Sequence, residues 1–331
     1  MFLKKYSIII YMNNIVKYGM YFIILTAVGM LYERYNRKFN HFDEVRQYEL
    51  IKKYLLNDSS LASSKKPIIW IHTTYDVNAR NWESFYSRNN EKINQPYLYL
   101  TMKSIIDKCG KDFNICLIDD RTFTKLIPGW NVDIYHTADP IRSHLRKQAL
   151  MKLLYYYGGM LVPNSFLCKQ NLLEMYETNT ETSPFVCETV DRTSSSFKSV
   201  GFANIKFMGC KKQDVVMKEL CDYTERLSST DYTSERDFTG DMNKWCYNKY
   251  MQNQLTLVSG RIIGTIDAQN KPVLIDDLLD GQYIHFDRNI HGIYIPADEV
   301  LNRRKFGWFA RLSPQQILES EFILAKHFVA N

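Results

Sequence analysis

The residues of this chain with the most obvious chemical potential are a basic cluster, two acidic pairs and a double glycine. Arg142 and Arg146 are spaced i,i+4, so on a helix they share a face. Two guanidiniums on one face can clamp a diphosphate by paired hydrogen bonds, and Lys147 adds a third cation beside them. The bland alternative is a solvated helix face. Asp119-Asp120 and Asp276-Asp277 are the acidic pairs. Adjacent carboxylates on a strand point to opposite faces, so turn formation is the expected role, ahead of metal binding. Gly158-Gly159 reads first as a helix stop. Its sharper reading is a close backbone approach to a ligand. His72 stands at the end of an apolar run, where a histidine is usually a satisfied polar residue and occasionally a ligand contact. No P-loop, GxGxxG, GxSxG or HExxH pattern occurs.

Elements that could position these groups follow from the apolar pattern. Ile68-Ile69-Trp70-Ile71-His72 is a continuous apolar run that ends in polar residues, as a buried parallel strand does. Asn114 to Asp119 reads as a second strand and Asp133 to Thr137 as a weaker third. Pro140 to Tyr157 predicts a helix. Ile141, Leu145, Ala149 and Leu153 share one face, Pro140 suits the first turn, and Gly158-Gly159 ends it. Met160 begins another short strand. Further strands are expected at Phe185–Val190, Ala203–Met208, Leu257–Ile266 and Tyr283–Phe286. Helices are expected at Lys211–Leu227 and Pro314–Phe328, the latter capped by Ser313 with Pro314 at its first position. The alternation predicts an α/β fold with a mostly parallel sheet flanked by helices. In such sheets ligands sit at the carboxyl ends of the strands, here after Ile71, Asp119 and Val162.

The bulk numbers exclude more than they identify. With 331 residues, 45% hydrophobic and 24% charged, the chain is neither disordered nor a small disulfide scaffold. A net charge of +6, from 42 basic and 36 acidic residues, gives no reason to expect nucleic acid as a partner. Seven cysteines without CxxC or zinc spacing read as buried free thiols, which favours a reducing compartment over a luminal one with disulfides.

Tyr18 to Tyr32 is uncharged and apolar, about 22 Å long as a helix and thus short of a full span. Residues 1–32 are read as an N-terminal hydrophobic helix that anchors the chain to a membrane. A signal peptide and a buried helix are the alternatives. Basic residues flank both sides, so the side of the membrane is not specified. Residues 33–66 read as a stem, and 67–331 as the globular domain.

The segment Ile141 to Phe166, IRSHLRKQALMKLLYYYGGMLVPNSF, resembles the signature of the sugar-transferase families that carry a DxD motif, the yeast mannosyltransferase-like and capsular polysaccharide synthesis-like groups. Pro67 to His72, Asn114 to Asp120 and Thr239-Gly240 resemble their supporting pieces, with Asp241 where those families have proline. The resemblance implies a GT-A-like nucleotide-sugar-binding fold and a nucleotide-sugar donor as partner. His72, Arg142, Arg146, Lys147, Gly158, Gly159, Asn164 and Ser165 are the candidate binding residues.

The departures are specific. Counted from Gly158, Lys147 replaces the helix aspartate and Leu150 the helix arginine; Pro163 and Ser165 replace the two aspartates of DxD. Mg²⁺ and Mn²⁺ want anionic oxygens, so neither is expected as a cofactor, and no metal ligand is assigned. The expectation is a glycosyltransferase-like scaffold without catalysis, in a structural or partner-binding role, a virion component being one form of it. The alternative is an active transferase in which Arg142, Arg146 and Lys147 take over from the metal.

Overall fold

The computed structural model describes residues 66–73, 95–134, 136–190, 202–230 and 240–331. The expected anchor at 1–32 and all but the last residue of the stem lie outside them. Among the described residues no helix is long and apolar enough to cross a membrane. The elements below belong to one compact unit, Ser63–Ile127 with Val132–Asn331.

The chain runs β1 (Ile68–His72), α1 (Tyr97–Cys109), β2 (Asn114–Ile118), α2 (Phe123–Leu126), α3 (Ile141–Tyr157), β3 (Gly159–Leu161), β4 (Phe166–Cys168), α4 (Leu173–Asn179), β5 (Phe185–Thr189) and β6 (Phe202–Cys210). It continues through α5 (Val215–Thr230), α6 (Asp241–Met251), β7 (Thr256–Val258), α7 (Ile275–Leu278), β8 (Gly292–Tyr294), α8 (Ala297–Asn302), α9 (Pro314–Leu318) and α10 (Ile323–Val329). The main sheet has the order β2-β1-β3-β6-β5-β7, and β4 pairs with β8 in a separate two-stranded sheet. β1 is parallel to β2 and to β3, and β5 is parallel to β7. β6 alone runs antiparallel to its neighbours β3 and β5. The result is a mixed α/β architecture with a mostly parallel central sheet.

Position in the sheet explains the patterns. β1 is central, so Ile69, Trp70 and Ile71 are all buried and the strand reads as one apolar run. β2 is an edge strand and leaves Leu117 exposed. On α5 the buried residues Met217, Leu220, Cys221 and Thr224 recur at helical spacing, and this helix packs against α3. Asp214 opens α5 by accepting from the backbone N–H groups of Val216 and Met217 at 2.8 and 3.1 Å.

Four expectations need correction. No strand forms among the described residues of 133–137. The 257–266 run ends as a strand at Val258, because Gly260 turns the chain and its carbonyl accepts from Thr265 and Ile266; the later apolar residues are buried in a loop. Tyr283–Phe286 has alternation but no ladder partner among the described residues, and Tyr283 is exposed. The expected 314–328 helix is two helices. Its first begins as expected, with Gln316 N–H donating to the Ser313 hydroxyl at 3.2 Å. It stops at Leu318, and Ile323 N–H, at the start of α10, turns to the Asp280 carbonyl.

Gly158 and Gly159 join α3 to β3 with φ of +69° and +95°. A Cβ on Gly159 would lie 2.2 Å from the Ile68 carbonyl oxygen of β1, and one on Gly158 2.6 Å from the backbone nitrogen of Lys212. The close approach is therefore to the chain's own backbone, at the point where a helix must drop into a central strand.

Candidate functional site

A cleft of about 570 Å³ opens where β1 and β3 end. His72, Arg146, Lys147, Asn164 and Ser165 line it. Five of the eight candidates chosen from sequence are thus brought together. Arg142, Gly158 and Gly159 are not among the lining residues. Arg142 donates to Asp139 at 2.6 and 3.2 Å, one turn from Arg146, so the two arginines do not form a paired clamp.

The near wall is built by parallel pairing. His72 is in register with Ile118 at the end of β2, which places the turn after β2 beside it. Asp119 serves that turn, accepting from Thr122 N–H at 2.9 Å. Asp120 faces back toward the cleft edge. One oxygen is 2.9 Å from His72 Nε2 and accepts from Arg146 Nε at 2.8 Å; the other accepts from Arg146 Nη2 at 2.6 Å. This is a bidentate fork of the kind that fixes a guanidinium's plane. The Phe123 ring lies nearly parallel to His72, with centroids 5.5 Å apart. The side chains of His72, Asp120 and Arg146 are only 11%, 13% and 17% exposed. Burial opposes ionisation of Asp120, but the hydrogen bonds and charges of Arg146 and His72 outweigh it and hold the carboxyl well below the usual carboxylate range. Asp120 was assigned only a turn from sequence. Its partners are 48 and 26 residues distant, and only the parallel register unites them.

The floor is the segment after β3. Pro163 offers no side-chain oxygen. The Asn164 carbonyl accepts from Thr101 Oγ1 at 2.5 Å. Ser165 is 2% exposed, its hydroxyl donates to the Ile295 carbonyl at 2.6 Å, and its own carbonyl accepts from Ile295 N–H at 3.2 Å. At the positions where the resembled families hold a divalent ion, the donor set does not fit one. Among the described residues no group of three or more His, Cys, Asp or Glu is placed to hold a metal. Asp276 and Asp277 lie elsewhere: Asp277 accepts from Leu274 N–H at 2.8 Å at the start of α7, and Asp276 pairs with Lys305.

The far wall was largely unread in the sequence. Asn204 and Lys206 come from β6, Gly240 to Asn243 from the start of α6, and Tyr294 and Asp298 from β8 and α8. Lys206 pairs with Asp298. Asn243 accepts from Ile205 N–H at 3.1 Å, tying α6 to β6. Thr239-Gly240 with Asp241 was the one signal toward this wall.

No protein-family model matches the chain, and no curated protein matches it. Among solved structures, an active-site mutant of LgtC, a GT-A glycosyltransferase, aligns over 69% of this chain and 86% of its own. The TM-score is 0.33 and the identity 10%, a likeness too slight to build on.

Proposed function

We propose that residues 67–331 form a GT-A-like scaffold that does not carry out metal-assisted sugar transfer and whose cleft takes the diphosphate of a nucleotide-sugar through cationic side chains. The sheet supports the first part: five strands point one way, the helix–Gly-Gly–strand unit feeds β3, and the cleft lies at the carboxyl ends of β1 and β3. The single observation that carries the loss of metal chemistry is Ser165. At the second DxD position stands a buried hydroxyl already donating to Ile295, two residues after a proline. Neutral, committed oxygens cannot replace two carboxylates as ligands of a hard cation.

Arg146, oriented by Asp120, and Lys147 beside it support the ligand class. A bidentate pair with Asp120 uses two of the five guanidinium N–H donors. Arg146 and Lys147 are the two cationic side chains that α3 brings to the cleft, and Lys206 of β6 is a third across it. This same cluster favours a second reading, a transferase that works without a metal.

Equilibrium binding and hydrolysis of a panel of nucleotide-sugars, in EDTA and in Mn²⁺, test the proposal. Binding in EDTA without turnover is expected. Turnover in EDTA selects the second reading, turnover or binding only with Mn²⁺ overturns both, and no binding under any condition overturns the ligand class. Membrane attachment through residues 1–32 is likewise proposed; full-length protein that fails to pellet with membranes after carbonate extraction contradicts it.

A further inference from the structure

All seven cysteines are free thiols, six of them buried. Among the described residues, Cys109 and Cys168 form the one sulfur–sulfur contact, at 3.8 Å, with both residues fully buried. They sit on a seam with a structural task. Cys109 is the last residue of α1, and Cys168 the last of β4. Along the same face of α1, Thr101 donates to the Asn164 carbonyl and Ser104 accepts from Cys168 N–H at 2.9 Å. The seam therefore holds the cleft floor, residues 163–165, and the strand that follows it.

We propose that Cys109 and Cys168 are a cross-linking site, joined as a disulfide when the protein meets a small-molecule disulfide oxidant. The sulfurs already face each other, and forming the bond closes them by roughly 1.8 Å to the usual ~2.05 Å. The bond would be a covalent tie beside the two polar ones. Its chemistry balances with glutathione disulfide as oxidant. The Cys109 thiolate attacks one glutathione sulfur, breaking that S–S bond and releasing one glutathione thiolate. Cys168, losing its proton, then attacks the Cys109 sulfur and releases the second. The two protein protons end on the two glutathiones. The contact with Cys168 lowers the Cys109 thiol from its ordinary value, against burial, which raises it, so Cys109 is the first nucleophile. Both thiols are closed to solvent, so the exchange requires a local opening at the end of α1, where the next residues, Gly110 and Lys111, are exposed.

The test holds full-length protein in a glutathione redox buffer or in dithiothreitol, blocks remaining thiols under denaturing conditions and maps peptides by mass spectrometry. A peptide pair linked through Cys109 and Cys168, absent after dithiothreitol, is the expected result, with a Tm about 5–10 °C above that of the reduced protein. Cys109→Ser and Cys168→Ser should each abolish the difference between oxidised and reduced Tm. Both thiols fully blocked after the glutathione treatment, or linkage scattered over other cysteines, overturns the proposal. The peptide map of the unmodified sequence decides the matter even where a variant fails to fold.

Discussion

Gly158-Gly159 and Pro163-Asn164-Ser165 flank the same short strand, and the resemblance to DxD transferases treats them as one motif. Physically they answer to different demands. The glycines are held by the fold: a side chain at either would drive a Cβ into the backbone of β1 or of the loop before α5. Residues 163–165 carry no such constraint from sheet geometry; there the Asn164 carbonyl accepts from the Thr101 hydroxyl and the Ser165 hydroxyl donates to the Ile295 carbonyl. A kept Gly-Gly therefore says that the helix-to-strand joint is intact. It says nothing about catalysis, which must be judged from the side chains that reach the cleft.

The sharpest challenge to this contrast is Gly159→Ala. At φ +95° with a contact of 2.2 Å to a carbonyl, it is expected to cost about 4 kcal/mol or more, read as a Tm loss of about 10 °C or as insoluble protein. Near-normal stability would remove the steric account of the motif. Next comes Ser165→Asp, which places a carboxylate where a buried hydroxyl now donates. A loss of about 3 kcal/mol in urea unfolding is expected, with no gain of Mn²⁺ affinity. A variant that is stable and binds Mn²⁺ would show that the site lacks only its ligands.

Asp120→Asn tests the cleft edge. It leaves Arg146 largely buried without its counter-charge, and about 2 kcal/mol is expected after allowance for partial exposure. The folded carboxyl is held below its unfolded value. Its contribution is thus fully present above the ordinary carboxylate pKa of about 3.9 and is lost as pH falls below it. Urea titrations across acid pH should show a shallower decline for the variant; an unchanged slope would contradict the assignment. The mildest change in stability belongs to Lys147→Ala, about 1 kcal/mol or less, yet nucleotide-sugar affinity should fall about tenfold or more.

What could be read from sequence follows the range of the interactions. β1 announced itself because a central strand is apolar on both faces, and the bounds of α3 because Pro140 and Gly158 mark them; of its expected apolar face, Ala149 and Leu153 are buried but Ile141 and Leu145 only partly. The 257–266 run misled because burial in a loop looks like burial in a strand. The 314–328 segment misled because the break after Leu318 rests on a contact with Asp280, invisible in local periodicity. For the site, Arg146 was found through its i,i+4 spacing to Arg142, though Arg142 turns to Asp139, and Lys147 through its place in the resembled motif. Asp120 was missed, since a carboxylate after a strand looks like any turn former until β1 and β2 are known to pair in parallel at His72 and Ile118. The far wall needed α6 and α8 brought to β6, which no local pattern specifies.

Metal-independent occupation of the cleft is the property that separates this scaffold from a DxD transferase. Titration of a nucleotide-sugar panel into full-length protein, once in EDTA and once in Mn²⁺, addresses this directly. A donor that binds with the same Kd in both, and about tenfold or more weaker to Lys147→Ala, is the expected result. Binding that appears only when Mn²⁺ is added would contradict it.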